Sequence, residues 1–155
     1  MKAVNRLGYW GVGAFAVVAW LATFLWLREA PLFVPHQGIH SILAADSLSN
    51  GRGFEVVPGL PYAKFGPLYP ILLALLARAG LGVTGAVYLL NCATFAASFF
   101  GLYLLCRILS LRAAWGAVAF FALWAPNYYL LRAARPDALM ICMSLFALAG
   151  MVHYS

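Results

Sequence analysis

The segment from Arg132 to Asp137 carries the densest set of reactive side chains in this sequence, because it places two arginines and an acid between two long apolar runs. Arginine suits forked recognition of phosphate, and an ionisable residue beside a long apolar run is a candidate for a functional site. We therefore predict that Asp137 is catalytic and that Arg132 and Arg135 bind an anionic substrate. The alternative is structural: Pro136 begins a helix whose dipole favours Asp137 in its first turn, with Arg135 as the balancing charge.

Lys64 lies in a second candidate segment, residues 58–70, which is rich in proline and glycine. These residues prevent a helix from beginning before Pro67, so that Lys64 is presented on a stiff turn between aromatic side chains. On the functional interpretation, which the family resemblance given below favours, Lys64 binds a phosphate and Tyr62 and Tyr69 are further substrate-binding residues. The alternative is that all three side chains are ordinary anchors at a membrane interface.

Asp46 belongs to a predicted helix over about 39–50, which glycines at 51 and 53 would end. At about 100° per residue, Asp46 shares one helix face with apolar side chains, namely Ile39, Ile42 and Leu43. Burial of a carboxylate there would favour its neutral form unless a cation or a donor compensates. Asp46 is therefore predicted either to pair with Arg52 or a backbone donor, or to act as a catalytic or ligand-positioning carboxylate.

The composition excludes an ordinary water-soluble domain, since 65% of the 155 residues are hydrophobic and only 9% are charged. The net charge of +6 comes from basic residues scattered singly between apolar runs, which argues against a nucleic-acid partner. Three cysteines lie inside those runs and are predicted to be small buried hydrophobic residues, without a disulfide framework or a metal site: Cys92, Cys106 and Cys142.

The apolar runs predict an all-α integral membrane protein with about four transmembrane helices in a single membrane domain, 1–155. Lys2 and Arg6 place the N-terminus in the cytoplasm. A long outer loop, 28–66, follows the first span, and a shorter helix over about 67–80 is predicted to lie in the interface. The predicted spans cover about 7–27, 84–106, 113–131 and 138–154.

This topology places Lys64, Arg132 and Arg135 outside the cytoplasm, against the usual bias for cytoplasmic positive charge. An anionic ligand on the outer face would explain the exception. A lipid-linked phosphate or diphosphate is one such ligand, with cations on the phosphate and a carboxylate free to take a proton from an acceptor hydroxyl.

Three segments together resemble the beginning of a GT-C superfamily glycosyltransferase of the mannosyltransferase and aminoarabinose-transferase type: Ser47–Phe54, Lys64–Pro70 and Ala134–Asp137. The resemblance implies a hexose or pentose carried by a polyprenyl phosphate, transferred to a lipid or protein acceptor on the outer face of the plasma (inner) membrane. It implies inversion by direct displacement, with an acid of the first outer loop as the base. It specifies no cofactor and leaves a divalent metal ion open. Because relatives run several times longer, the chain is expected to be an N-terminal portion that is inactive alone.

The resemblance assigns Lys64 to the family's phosphate-binding lysine and Asp137 to its second acid position. The first-loop acid of the family falls near residues 35–38, which contain none. His36 could serve as the base instead, Asp46 or Glu55 could replace it, or catalysis could be impaired.

A non-enzymatic role is the alternative function. In that case Lys64, Arg132 and Arg135 bind anionic headgroups of membrane lipids, and the chain is a small lipid-binding protein or a subunit of a transporter or assembly factor.

Overall fold

The computed structural model describes residues 2–27, 32, 34–63, 66–109, 114–123, 131 and 133–154. These residues are mainly helical, as predicted. The helices are α1 (Lys2–Leu27), α2 (His36–Ser49), α3 (Leu68–Leu76), α4 (Gly82–Ile108), α5 (Ala114–Leu123) and α6 (Asp137–Tyr154). Among the predicted site residues, Lys64 and Arg132 lie outside the described part of the chain.

A small antiparallel hairpin, which the sequence analysis did not predict, joins α2 to the segment before α3. Strand β1 (Glu55–Val57) pairs with β2 (Leu60–Pro61), with Val57 opposite Leu60. Gly59 makes the turn with a φ of 81°, which favours glycine. The described part of this connection, 34–63, thus contains a helix and a hairpin.

Helices α3 and α4 form one bent stretch because a short π-helical turn, Ala77–Leu81, joins them. Gly80 has a φ of 98° inside that turn, which bends the axis at a position where other residues would be strained. Arg78 secures the turn by donating from Nε to the carbonyl oxygen of Ser49 at the end of α2, at 3.1 Å. The predicted interfacial helix over 67–80 therefore appears as α3 followed by this turn.

Two helical stretches of the described chain are long and apolar enough to cross a membrane, Leu68–Ile108 and Asp137–Tyr154. A shorter apolar stretch, Trp10–Leu25, lies within α1. Several large apolar side chains on the helices are exposed, and Trp10 is 79% exposed. Such exposed apolar surface suits a lipid environment better than water. The count of four spans stays a prediction.

Helix α4 is the centre of the bundle and packs against α1, α5 and α6. Aromatic rings fill the core between α1, α4 and α5, where Phe95 and Phe99 have ring centroids 4.8 Å apart. Gly101 lets α6 approach α4 closely, since a Cβ there would come within 3.2 Å of the Leu145 Cβ. The three cysteines are buried thiols, as predicted.

A second core lies between α2, α3 and α4, and it corrects the predicted face of α2. The residues of α2 that are buried are small, namely Gly38, Ser41, Ala44, Ala45 and Ser47. Ile39 and Leu43 are exposed instead. The small side chains allow α2 to lie close to its neighbours, so close packing decides the buried face and the bulkier residues turn outward.

Candidate functional site

Asp137 begins α6 and forms an ion pair with Arg135, whose Nε lies 3.0 Å from the Asp137 Oδ2. The helix starts one residue after Pro136, whose carbonyl oxygen accepts the first helical hydrogen bond from the Met140 amide. Both charged side chains are partly accessible, at 28% for Asp137 and 32% for Arg135. This position combines a helix N-terminus, a cation and access to a ligand.

Tyr69 of α3 packs in the same buried cluster as Ala134, which lies three residues before Asp137. Its hydroxyl is buried and donates to the Oδ1 of Asn91, at 3.4 Å. The segment 58–70 and the segment 132–137, which are far apart in the sequence, therefore meet at Tyr69 and Ala134. A buried Tyr69 is not an ordinary interfacial anchor.

The first turn of α2 also reaches this site. A Cβ added at Gly38 would overlap the backbone carbonyl oxygen of Ala134, which shows how closely α2 approaches the segment before Asp137. His36 is the first residue of α2, two positions before Gly38. The structure does not describe the His36 side chain, but it places that residue's backbone within one helical turn of the contact.

Asn91 is a site residue that the sequence analysis missed. It is fully buried in α4 and donates from Nδ2 to the carbonyl oxygens of Leu131, at 3.2 Å, and Ala133, at 2.9 Å. The available signal was its side chain, the only carboxamide in the uncharged run from Ala79 to Cys106. A buried amide needs hydrogen-bond partners, so Asn91 indicates that polar groups with free bonding capacity lie nearby.

Tyr62 binds the hairpin to α2 and lies away from solvent. Its hydroxyl and the Ser41 Oγ are 3.2 Å apart, and its ring lies edge-on to Phe54 with centroids 4.9 Å apart. Like Tyr69, it is buried. Tyr62 is thus a packing residue, which corrects the prediction that it binds substrate.

Asp46 pairs with Arg52, whose terminal nitrogen lies 2.7 Å from the Asp46 Oδ2. This pairing was one of the two alternatives predicted for Asp46. Asn50 donates to the other carboxylate oxygen at 3.1 Å. Asp46 and Arg52 both line a cleft of about 480 Å³ between α2 and the hairpin. Asp46 lies eight positions after Gly38 in α2, a separation of about 12 Å along the helix axis.

Glu55, the other predicted substitute base, lines the same cleft and accepts a hydrogen bond from the Gly59 amide at 3.1 Å. It therefore helps to close the hairpin turn. Among the described residues, no group of three or more His, Cys, Asp or Glu side chains could hold a metal ion. The described acids thus divide between the Asp137 site and the hairpin cleft.

Comparison of the chain with protein-family models, curated proteins and solved structures gave no match. The geometry around Asp137 is what indicates the chemistry that this chain can perform. That geometry joins a carboxylate that can accept a proton and an arginine that can hold an anion, next to the segment that contacts the first turn of α2. Tyr69 is buried and donates to Asn91, so the prediction that it binds substrate is not supported.

Proposed function

We propose that this chain supplies the reaction centre of a membrane glycosyltransferase that uses a polyprenyl-phosphate sugar donor at the outer face of the membrane. One observation carries the proposal: Asp137 and its Arg135 partner directly follow Ala134, which packs with Tyr69 and against the first turn of α2. Two of the three segments that carry the family resemblance, Lys64–Pro70 and Ala134–Asp137, thereby contribute residues to the same site. The apolar exterior of the helices and the two long apolar stretches support a membrane location.

In the proposed reaction the acceptor hydroxyl attacks the anomeric carbon of the donor sugar. The bond from that carbon to the phosphate oxygen breaks, and the polyprenyl phosphate leaves with the electron pair. The Asp137 carboxylate accepts the acceptor's proton, and configuration at the anomeric carbon inverts. Arg135, together with Lys64 and Arg132, supplies positive charge for the phosphate as negative charge grows on it.

The test is transfer of radiolabelled sugar in membranes that contain the full product of the gene, with membranes lacking it as the control. Donors are polyprenyl phosphates linked to mannose, glucose or aminoarabinose, and label is counted in the lipid and protein fractions. We expect protein-dependent incorporation from one of them. Binding of unlinked polyprenyl phosphate without transfer from any donor would overturn the proposal in favour of an anionic-lipid-binding protein.

Asp46→Asn is expected to change transfer by less than about 2-fold and stability by less than about 1 kcal/mol. Its side chain is 48% exposed and that of Arg52 is 58% exposed, and exposed ion pairs contribute little. Transfer rates and thermal unfolding in detergent check this expectation. A rate loss above about 100-fold, in the range of a lost general base, would instead make Asp46 the base.

A further inference from the structure

Asn91 is a polar side chain in an apolar position, since it is fully buried in the central helix of the bundle. Burying an amide is costly unless its hydrogen-bonding groups are satisfied. A carboxamide offers two N–H donors and an acceptor oxygen. All of these groups have partners here, in Leu131, Ala133 and Tyr69.

These partners are parts of the candidate site and not of α4 itself. Other buried polar side chains of α4 behave differently: Thr94 and Ser98 donate to carbonyl oxygens of their own helix, and Ser98 also contacts the Cys142 thiol of α6. Asn91 reaches across to the segment that precedes α6 and to α3. Asn91 therefore connects three parts of the chain, whereas the hydrogen bonds that Thr94 and Ser98 donate stay within α4.

The backbone that Asn91 holds is not regular helix at Ala133 and Ala134, although both residues are fully buried. Irregular backbone at such depth needs partners from the protein for its carbonyl groups. The Ala133 oxygen accepts from Asn91 at 2.9 Å and from the Arg135 amide at 2.8 Å. The turn that leads to Arg135 and Asp137 is thus held on the Asn91 amide.

We infer that Asn91 is a positioning residue, which sets the place of Asp137 through Ala133 and the place of Tyr69 through its own oxygen. It does not touch the reacting atoms. This inference rests on the proposed function, because the position of Asp137 matters for the rate only if Asp137 takes part in the reaction. Small displacements of a reacting group lower rates strongly.

The test compares Asn91→Asp and Asn91→Leu with Ser98→Ala, which removes a buried polar group of α4 whose partners, the Thr94 carbonyl oxygen and the Cys142 thiol, lie outside the candidate site. Asn91→Asp keeps the shape of the side chain but places an oxygen against the carbonyl oxygens of Leu131 and Ala133. Asn91→Leu keeps a similar volume and serves as the second variant if Asn91→Asp fails to fold. Two measurements are made on each full-length variant: kcat and KM for the polyprenyl-phosphate sugar, and hydrogen exchange of the amides in residues 133–140.

We expect both Asn91 variants to lower kcat by at least about 10-fold with KM changed by less than about 3-fold, and to exchange faster at 133–140 than wild type. Ser98→Ala should match wild type in both measurements. A general loss of stability would instead speed exchange throughout α4 and α6, and that pattern overturns the inference.

The two proposals fail in different ways. If wild type transfers sugar and the Asn91 variants keep its kcat, the inference is wrong and the glycosyltransferase proposal stands. If wild type transfers nothing from any donor, the proposed function is wrong, and the exchange data alone decide whether Asn91 holds the 133–137 turn. Exchange unchanged by both Asn91 variants would then overturn that role as well.

Discussion

Asp137→Asn is expected to lower the rate of sugar transfer by about 10²- to 10⁴-fold, the usual contribution of a general base. The amide keeps the shape of the side chain but cannot accept the acceptor's proton. Asparagine is also well tolerated at a helix N-terminus, so α6 should still begin at residue 137. The rate is measured with the labelled polyprenyl-phosphate donor in membranes, and protein amounts are matched by immunoblot.

Glu55→Gln is the matched control, because it makes the same carboxylate-to-amide change in the hairpin cleft. It should leave transfer within about 2-fold of wild type, since Glu55 bonds the turn at Gly59. An Asp137→Asn protein that keeps more than a fifth of the wild-type rate would remove Asp137 from the role of base. His36, the first residue of α2, would then be the next residue to replace.

Gly38→Ala is expected to destabilise the fold by about 1–3 kcal/mol, the usual cost of overpacking, and to lower transfer by about 100-fold. The new Cβ would overlap the Ala134 carbonyl oxygen, which is backbone and cannot rotate away as a side chain does. Helix α2 must therefore shift from the segment that leads to Asp137. Thermal unfolding in detergent and the transfer assay measure the two effects.

Gly13→Ala is the control for this substitution, because Gly13 also lies inside a helix but a Cβ there meets nothing within 4 Å. Alanine favours helix over glycine by about 1 kcal/mol, so Gly13→Ala should be as stable as wild type or more so. Equal stability and equal rates for the two variants would show that the contact between Gly38 and Ala134 is not tight.

Much of the helical framework could be predicted from local sequence. The proline at 67 predicted the start of α3, which begins one residue later, and the proline at 136 predicted the start of α6 in the same way. The helix of the outer loop was predicted at 39–50 and lies at His36–Ser49. These features depend on residues within one turn of each other, so they can be read without knowledge of the rest of the fold.

The candidate site could be predicted only in part. The sequence singled out Asp137, Arg135 and Tyr69, and the structure pairs Asp137 with Arg135 and packs Tyr69 with Ala134 of the same segment. It also singled out Asp46, whose pairing with Arg52 is confirmed at the other end of α2. Asn91 was missed because an amide in an apolar run has no local pattern that reveals its partners, and those partners lie about 40 residues further along the chain.

By itself, the sequence determined that this chain is mainly helical and apolar, where most of its helices begin and end, and which few side chains could do chemistry. These properties follow from composition and from interactions between near neighbours. Only the tertiary structure decided that α2 buries its small residues, that Gly38 meets Ala134 and that Asn91 holds the turn before Asp137. Each of these depends on the surface that a distant segment presents, and local periodicity carries no information about that surface.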